Sequence, residues 1–358
     1  MQNADLSSGT DSPPAGLARF WSHWTWALSL LAWLLLAVGA TAPALLLPVL
    51  FGTVLAAVHH AELVAHRVGE PFGTLILAVA VTVIELGLIL SLMSAAGESG
   101  ASALARDTVF AAVMIILNGL VGICLLVGAL RHREQTFQQT GVSAALAALS
   151  ALTVLTLVLP NFTSTASGPV YAPSQLTFVA VVAFLLYATF VAVQTVRHRD
   201  YFLPPRSLAA DVEVHAALPS DHRTIASALL LLACLGAVVL LAKQLAGTIE
   251  AMVAGAGAPR AVVGVIIAAL VLLPESVAAV KAALANRLQT SLNLALGSAL
   301  ATIGLTIPAV AALSLMAELP LSLGLDAKGI VLLFLTLLVA TLSLGTGARP
   351  CCKALSTS

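Results

Sequence analysis

Charge is what this chain has least of. Only 9% of its 358 residues are Asp, Glu, Lys or Arg, against about 25% in an average soluble domain. The 16 basic and 16 acidic residues cancel to a formal net charge of zero, so neither a basic nucleic-acid surface nor an acidic tail is expected. Cysteine is sparse as well. Cys124 and Cys234 fall in apolar runs, Cys351 and Cys352 in the tail, and no spacing suggests a disulfide framework or a thiolate metal site. The long apolar runs contain no histidine and no nucleophile–base arrangement, which argues against a membrane-embedded hydrolase. No EF-hand loop and no glycine-rich nucleotide fingerprint is found. Residues 1–22 lack the basic start and short apolar core of a secretory signal and read as a disordered lead-in.

Hydrophobic residues fill the space: 60% of the chain, with a mean hydropathy of +1.04. A helix needs about 20 apolar residues to cross the hydrocarbon core. Runs of that kind predict ten spans, at 24–40, 42–58, 71–95, 108–130, 142–159, 174–196, 225–243, 260–282, 291–316 and 328–346. Backbone groups in lipid must be satisfied internally, so the spans are helices and the chain is an all-α polytopic membrane protein. Arg131 and Arg133, the arginines of 197–223, Lys281 and Arg287, and Arg349 and Lys353 fall in alternate connections, whereas 160–173 and 317–327 hold no Lys or Arg. That asymmetry predicts cytoplasmic N- and C-termini.

The chain also repeats itself. AELVAHRVGEPFGTLILAVAVTVIE (61–85) runs parallel to EAMVAGAGAPRAVVGVIIAALVLLPE (250–275): Glu62 and Glu250 each stand nine residues before a proline, Pro71 and Pro259. Each proline opens a span that carries one carboxylate, Glu85 or Glu275, 14 or 16 residues further on. At 1.5 Å per residue this is roughly 21–24 Å, well inside the membrane. The match continues with 106–119 against 292–305, pairing Asp107 with Asn293 and Asn118 with Gly304. The two copies enter from opposite sides, an inverted repeat, which is a recurrent transporter plan. The expected organisation is an extra N-terminal helix at 23–41, a first repeat at 42–197, a cytoplasmic connection at 198–224, a second repeat at 225–346 and a tail at 347–358.

A carboxylate in hydrocarbon is costly unless paired, hydrated or neutralised. Glu85 and Glu275 in one cavity would offer hard oxygen ligands to a cation and could take protons when it leaves, which is exchange chemistry from one pair of residues. Thr82, one turn before Glu85, Ser276, Asn118, Asn293 and the four-spaced stripe Ser298, Thr302, Thr306 are the supporting polar groups, with ordinary helix–helix bonding as the alternative for the stripe. Pro274 cannot donate its N–H and predicts a local break beside Glu275. Glu62 and Glu250 are expected near opposite mouths, as entrance or relay groups or as solvated caps. His59, His60 and His66 surround Glu62 and suit pH sensing, although they make a weak metal site. Asp107 reads as an N-cap, and Lys281 as a marker of the cytoplasmic edge.

HHAELVAHRVGEPFGTLILAVAVTVIEL (59–86) and PESVAAVKAALANRLQTSLNLALGSALATIGLTIP (274–308) resemble the bacterial ChaA-type branch of the calcium/cation:proton antiporter family, over about residues 25 to 345. The resemblance implies two inverted five-helix repeats of the cation/Ca2+ exchanger type after one extra helix. It also implies exchange of cytoplasmic Ca2+ for external protons, with Na+ or K+ in some members. Glu85 in VTVIEL and Glu275 in LLPESV would be the cation and proton ligands. Where the commoner family motif has asparagine, Thr82 and Leu272 stand here, so cation preference stays open. The second repeat shows four spans before the tail, so the last helix of the family pattern is expected to be missing.

The function expected is therefore secondary antiport in the bacterial inner membrane. No cofactor is held permanently, and the partners are transported ions and lipid rather than nucleic acid. A monovalent Na+/K+:proton antiporter is the alternative, with a channel or a non-transporting scaffold behind it.

Overall fold

The computed structural model describes residues 15–39, 42–68, 80–89, 93, 97–197, 201–202, 220–259, 261–317 and 321–345. The lead-in before Ala15, the opening of the span expected at 71–95 with Pro71, most of the 198–224 connection, and the tail lie outside the described residues. In chain order the helices are α1 (Ala15–Val38), α2 (Pro43–Val68), α3 (Ala80–Ile89), α4 (Gly97–Met114), α5 (Val121–His132), α6 (Gln139–Thr153), α7 (Pro173–Ala192), α8 (Asp221–Gly255), α9 (Ala261–Leu284), α10 (Leu288–Ala301), α11 (Ile307–Ala317) and α12 (Ala327–Gly345). A π turn at Ile115–Leu120 joins α4 to α5, and another at Thr302–Thr306 joins α10 to α11.

Among the described residues seven continuous helical stretches are long and apolar enough to cross a membrane, or eight if the bent α9 counts as one span. The apolar parts of α1 and α3 are shorter, 24–38 and 80–89. Two helices outrun their expected spans. α2 continues past residue 58 to Val68 and α8 past 243 to Gly255, because these extensions are supplied with Ala, Leu, Gln, Glu and Met, all good helix formers. Helix α1 likewise begins at Ala15, eight residues before the expected start. Asp107 lies inside α4, not at its start, and pairs with Arg106 at 2.8 Å.

Burial separates centre from rim. Of the most apolar window, 61% is buried in α2 and in 288–317, but only 28% in α7 and in α12. α7 and α12 present Phe178, Phe184, Phe334 and Leu342 outward, a face suited to lipid. At the centre α2 packs along α8, and α9 packs against α4, α5 and α10. Gly264 lets α9 touch the α4 backbone: a Cβ there would lie 2.9 Å from Asp107 C and Thr108 N.

The contacts duplicate across the chain. The turn at 115–120 lies against α12, and the turn at 302–306 against α7, so each π turn meets a helix from the opposite half. The sequence match of 106–119 with 292–305 brings these turns into register. A π turn inserts one extra residue and redirects the side chains that follow. Further π turns stand at Val154–Val158 and Val193–Arg197, but those at 115–120 and 302–306 are the two that the repeat match aligns.

Candidate functional site

Glu85 lies on α3, 3% exposed and surrounded by apolar side chains including Ile84 and Leu88. Thr302 Oγ1 donates a hydrogen bond to Glu85 Oε2 at 3.2 Å. Thr306, one turn on, also reaches this carboxylate, although its hydroxyl makes no hydrogen bond of good geometry. Both threonines are buried, and Ser298, one turn before Thr302, is half-buried. The stripe of four-spaced hydroxyls thus aims its last two members at Glu85. Glu85 Oε1 is enclosed and has no partner.

Glu275 follows the bend in α9, where the halves Ala261–Leu273 and Glu275–Leu284 meet at 52°. The break expected at Pro274 is present, because the ring removes one helical hydrogen bond and crowds the preceding turn. Glu275 is half-buried overall, yet its Oε2 is enclosed without a hydrogen-bond partner. Glu275 senses the charges of both Glu85 and Glu62, and Glu62 that of Lys281. The three carboxylates come from α2, α3 and α9. Each half of the pair keeps one orphaned buried oxygen, which fits a centre built to receive a cation or a proton rather than to stand empty.

Beside Glu275 lies a cavity of about 350 Å³ between α5 and the second half of α9, with Ile115, Gly119, Leu120, Ser276, Val277 and Lys281 in its wall. Ser276 lines this space. Thr82 is buried on α3 one turn before Glu85.

Other expected groups are engaged elsewhere. Asn118 donates to Met114 O at 3.2 Å and to Thr336 Oγ1 at 3.1 Å, linking the first π turn to α12. Asn293 donates to Phe202 O at 2.5 Å and accepts from Gln289 at 2.9 Å, which pins the end of the connection to α10. Glu62 sits exposed on α2, at the level of Lys281. Glu250 lies in helical backbone on α8, and its side chain is outside the described residues. The histidines do not converge. His60 is 2% exposed with both ring nitrogens unpartnered, and His59 stacks between Trp24 and His60 at 6.0 and 5.7 Å. His66 is exposed in the last turn of α2. Among the described residues no three His, Cys, Asp or Glu side chains gather as a ready-made metal cage.

A polar cluster that sequence reasoning missed lies at the far end of α9. Gln135 Nε2 donates to Ala283 O at 2.8 Å, and the His132 ring bonds Leu284 O at 2.8 Å. The backbone N–H of Gln138 donates to Gln289 Oε1 at 2.6 Å. The 133–138 connection thus holds the last carbonyls of the half-helix that carries Glu275. The only sequence signal is a run of glutamines, Gln135, Gln138 and Gln139, just after a span.

The chain resembles proteins already described. The family model for the sodium/calcium exchanger protein matches residues 24–196 and 226–349, one block in each repeat. The ionic transporter y4hA of Sinorhizobium fredii (strain NBRC 101917 / NGR234) is 51% identical over 302 residues, 83% of this chain and 80% of that protein. The sodium-potassium/proton antiporter ChaA of Escherichia coli (strain K12) is 35% identical over 291 residues, 81% of this chain and 78% of that protein. Among solved structures, native YfkE superposes with a TM-score of 0.65 at 18% identity, covering 90% of this chain and 91% of that one. The H+/Ca2+ exchanger CAX gives 0.66 at 16% identity, covering 91% and 82%. These two share the fold. With both repeats matched by one family model, and with the two relatives covering four-fifths of its length, the chain belongs to the sodium/calcium exchanger protein family and is a secondary transporter, not an enzyme.

Proposed function

We propose that the chain is a cation:proton antiporter of the ChaA-type branch that moves cytoplasmic Ca2+ outward in exchange for external protons. The observation that carries this reading is that Glu85 and Glu275, one acid in each repeat, each keep a side-chain oxygen enclosed in the interior without a hydrogen-bond partner. Two adjacent carboxylates cannot both stay charged in an apolar enclosure without a cation or a proton. Loading one ion therefore opposes loading the other, and alternating access between the repeats turns that competition into exchange. The proposal includes ten crossings, cytoplasmic termini and a bacterial inner membrane. Glu62, exposed at the level of Lys281, would be the entrance acid on the cytoplasmic side. Glu250 would be its counterpart at the opposite mouth.

A second reading, monovalent Na+/K+:proton exchange with the same two carboxylates, is favoured by the 35% identity to a protein described as a sodium-potassium/proton antiporter. Everted vesicles with an imposed pH gradient separate the readings when Ca2+, Na+ and K+ are offered in turn. The expected result is Ca2+ exchange that Glu85→Gln and Glu275→Gln each abolish. Exchange that survives both substitutions rejects the site, and exchange of Na+ or K+ alone selects the second reading.

A further inference from the structure

The two halves of the site are not equally supplied with oxygen. The repeat match that aligns 106–119 with 292–305 sets Ile116 opposite Thr302, and one turn further Leu120 opposite Thr306. Their backbones agree, since both pairs belong to the π turns at 115–120 and 302–306. Their chemistry does not. On one half Thr302 is bonded to Glu85 at 3.2 Å and Thr306 reaches the same carboxylate. On the other, Ile116 and Leu120 are buried hydrocarbon, Leu120 shares a cavity wall with Ser276, the neighbour of Glu275, and Glu275 Oε2 has no partner. Asn118, the polar group of that turn, is turned to Thr336 on α12.

A hard cation such as Ca2+ takes six to eight oxygens at about 2.3–2.6 Å, so it settles where oxygens are densest. We propose that the cation seat is one-sided: Thr302 and Thr306 are specificity-determining ligands that hold the ion against Glu85, while Glu275, for which the repeat match offers only the apolar Ile116 and Leu120 at the corresponding positions, contributes its charge from across the gap. This rests on the antiporter reading above and adds to it an inequivalence between two carboxylates that the repeat symmetry would make alike.

The test is equilibrium binding, by calorimetric titration of purified full-length protein with CaCl2 and, separately, NaCl, with melting curves to verify folding. Glu85→Gln should weaken binding of the bound ion at least tenfold more than Glu275→Gln does. Thr302→Val and Thr306→Val, close in volume, should each cost roughly tenfold, the scale of one oxygen contact to a charge, whereas Thr302→Ser restores affinity because it keeps the hydroxyl. Leu120→Thr, which supplies the missing oxygen on the poor side, should narrow the gap between the two Glu→Gln variants. Equal losses for Glu85→Gln and Glu275→Gln, or wild-type affinity in folded Thr302→Val, overturn the proposal. Vesicle exchange read in parallel distinguishes the two levels. If both Glu→Gln variants still exchange ions, the antiporter site itself is wrong. If both lose exchange but bind equally, only the one-sided seat is.

Discussion

At the residue scale the protein tolerates a few unsatisfied polar atoms in its interior, and they are not all of one kind. Glu85 and Glu275 each enclose one oxygen without a partner, as the proposed exchange site requires. His60 is different: its ring is buried, both nitrogens are unpartnered, and it meets the ring of His59 edge-on. A buried unsatisfied polar group costs about 1–3 kcal/mol. If His60 merely fills space, His60→Leu leaves exchange intact and raises the melting midpoint. A folded His60→Leu protein that has lost exchange would instead make the imidazole part of a proton route. That both acids enter the interior was legible in the sequence, because VTVIEL and LLPESV set a carboxylate inside an apolar run. The threonine stripe was legible from its spacing of four. The fates of Asn118 and Asn293 were not, since a pattern along one helix does not say which neighbour a side chain meets. Only the packing of α12 and of residues 201–202 decides that.

At the element scale, close approach and controlled irregularity do the positioning. A Cβ on Gly264 would enter the α4 backbone, which cannot swing aside, while nothing lies within 4 Å of one on Gly297. Gly264→Ala should therefore destabilise by about 1–3 kcal/mol through overpacking. Gly297→Ala should be neutral or gain up to about 1 kcal/mol from helix propensity. Thermal melting of the two variants in the same detergent checks the contrast. Pro274→Ala restores the missing hydrogen bond and straightens α9. The expected outcome is a melting midpoint equal to or above wild type together with slower vesicle exchange, because Glu275 no longer points where the bend sends it. Proline announces such a break in the sequence. The π turns give no comparable signal: their i→i+5 bonds use ordinary residues, and only the repeat made the agreement of 115–120 with 302–306 visible.

At the scale of the whole molecule, polar links between the two halves can be tested one at a time. Arg67 pairs with Asp221 between α2 and α8, with both side chains well exposed, and Arg67→Ala should cost less than about 1 kcal/mol. The bond from Asn118 to Thr336 is better placed, since it ties the first repeat's π turn to the second repeat's α12. In a cysteine-free background, Asn118→Cys with Thr336→Cys should cross-link rapidly on oxidation. If the repeats rock during transport, the cross-linked protein loses exchange and recovers it on reduction. Unchanged exchange after complete cross-linking would mean that these two elements travel together.

The clasp at the end of α9 has a mechanical consequence. The half-helix 275–284 is cut from its first half at Pro274, and its terminal carbonyls are held by Gln135 and His132. A rod hinged at one end and tethered at the other turns whenever its tether shifts. The 133–138 connection is therefore a handle on Glu275, about 12–14 Å along the helix axis from its grip. A force applied at the membrane edge becomes a rotation of the acid at the centre.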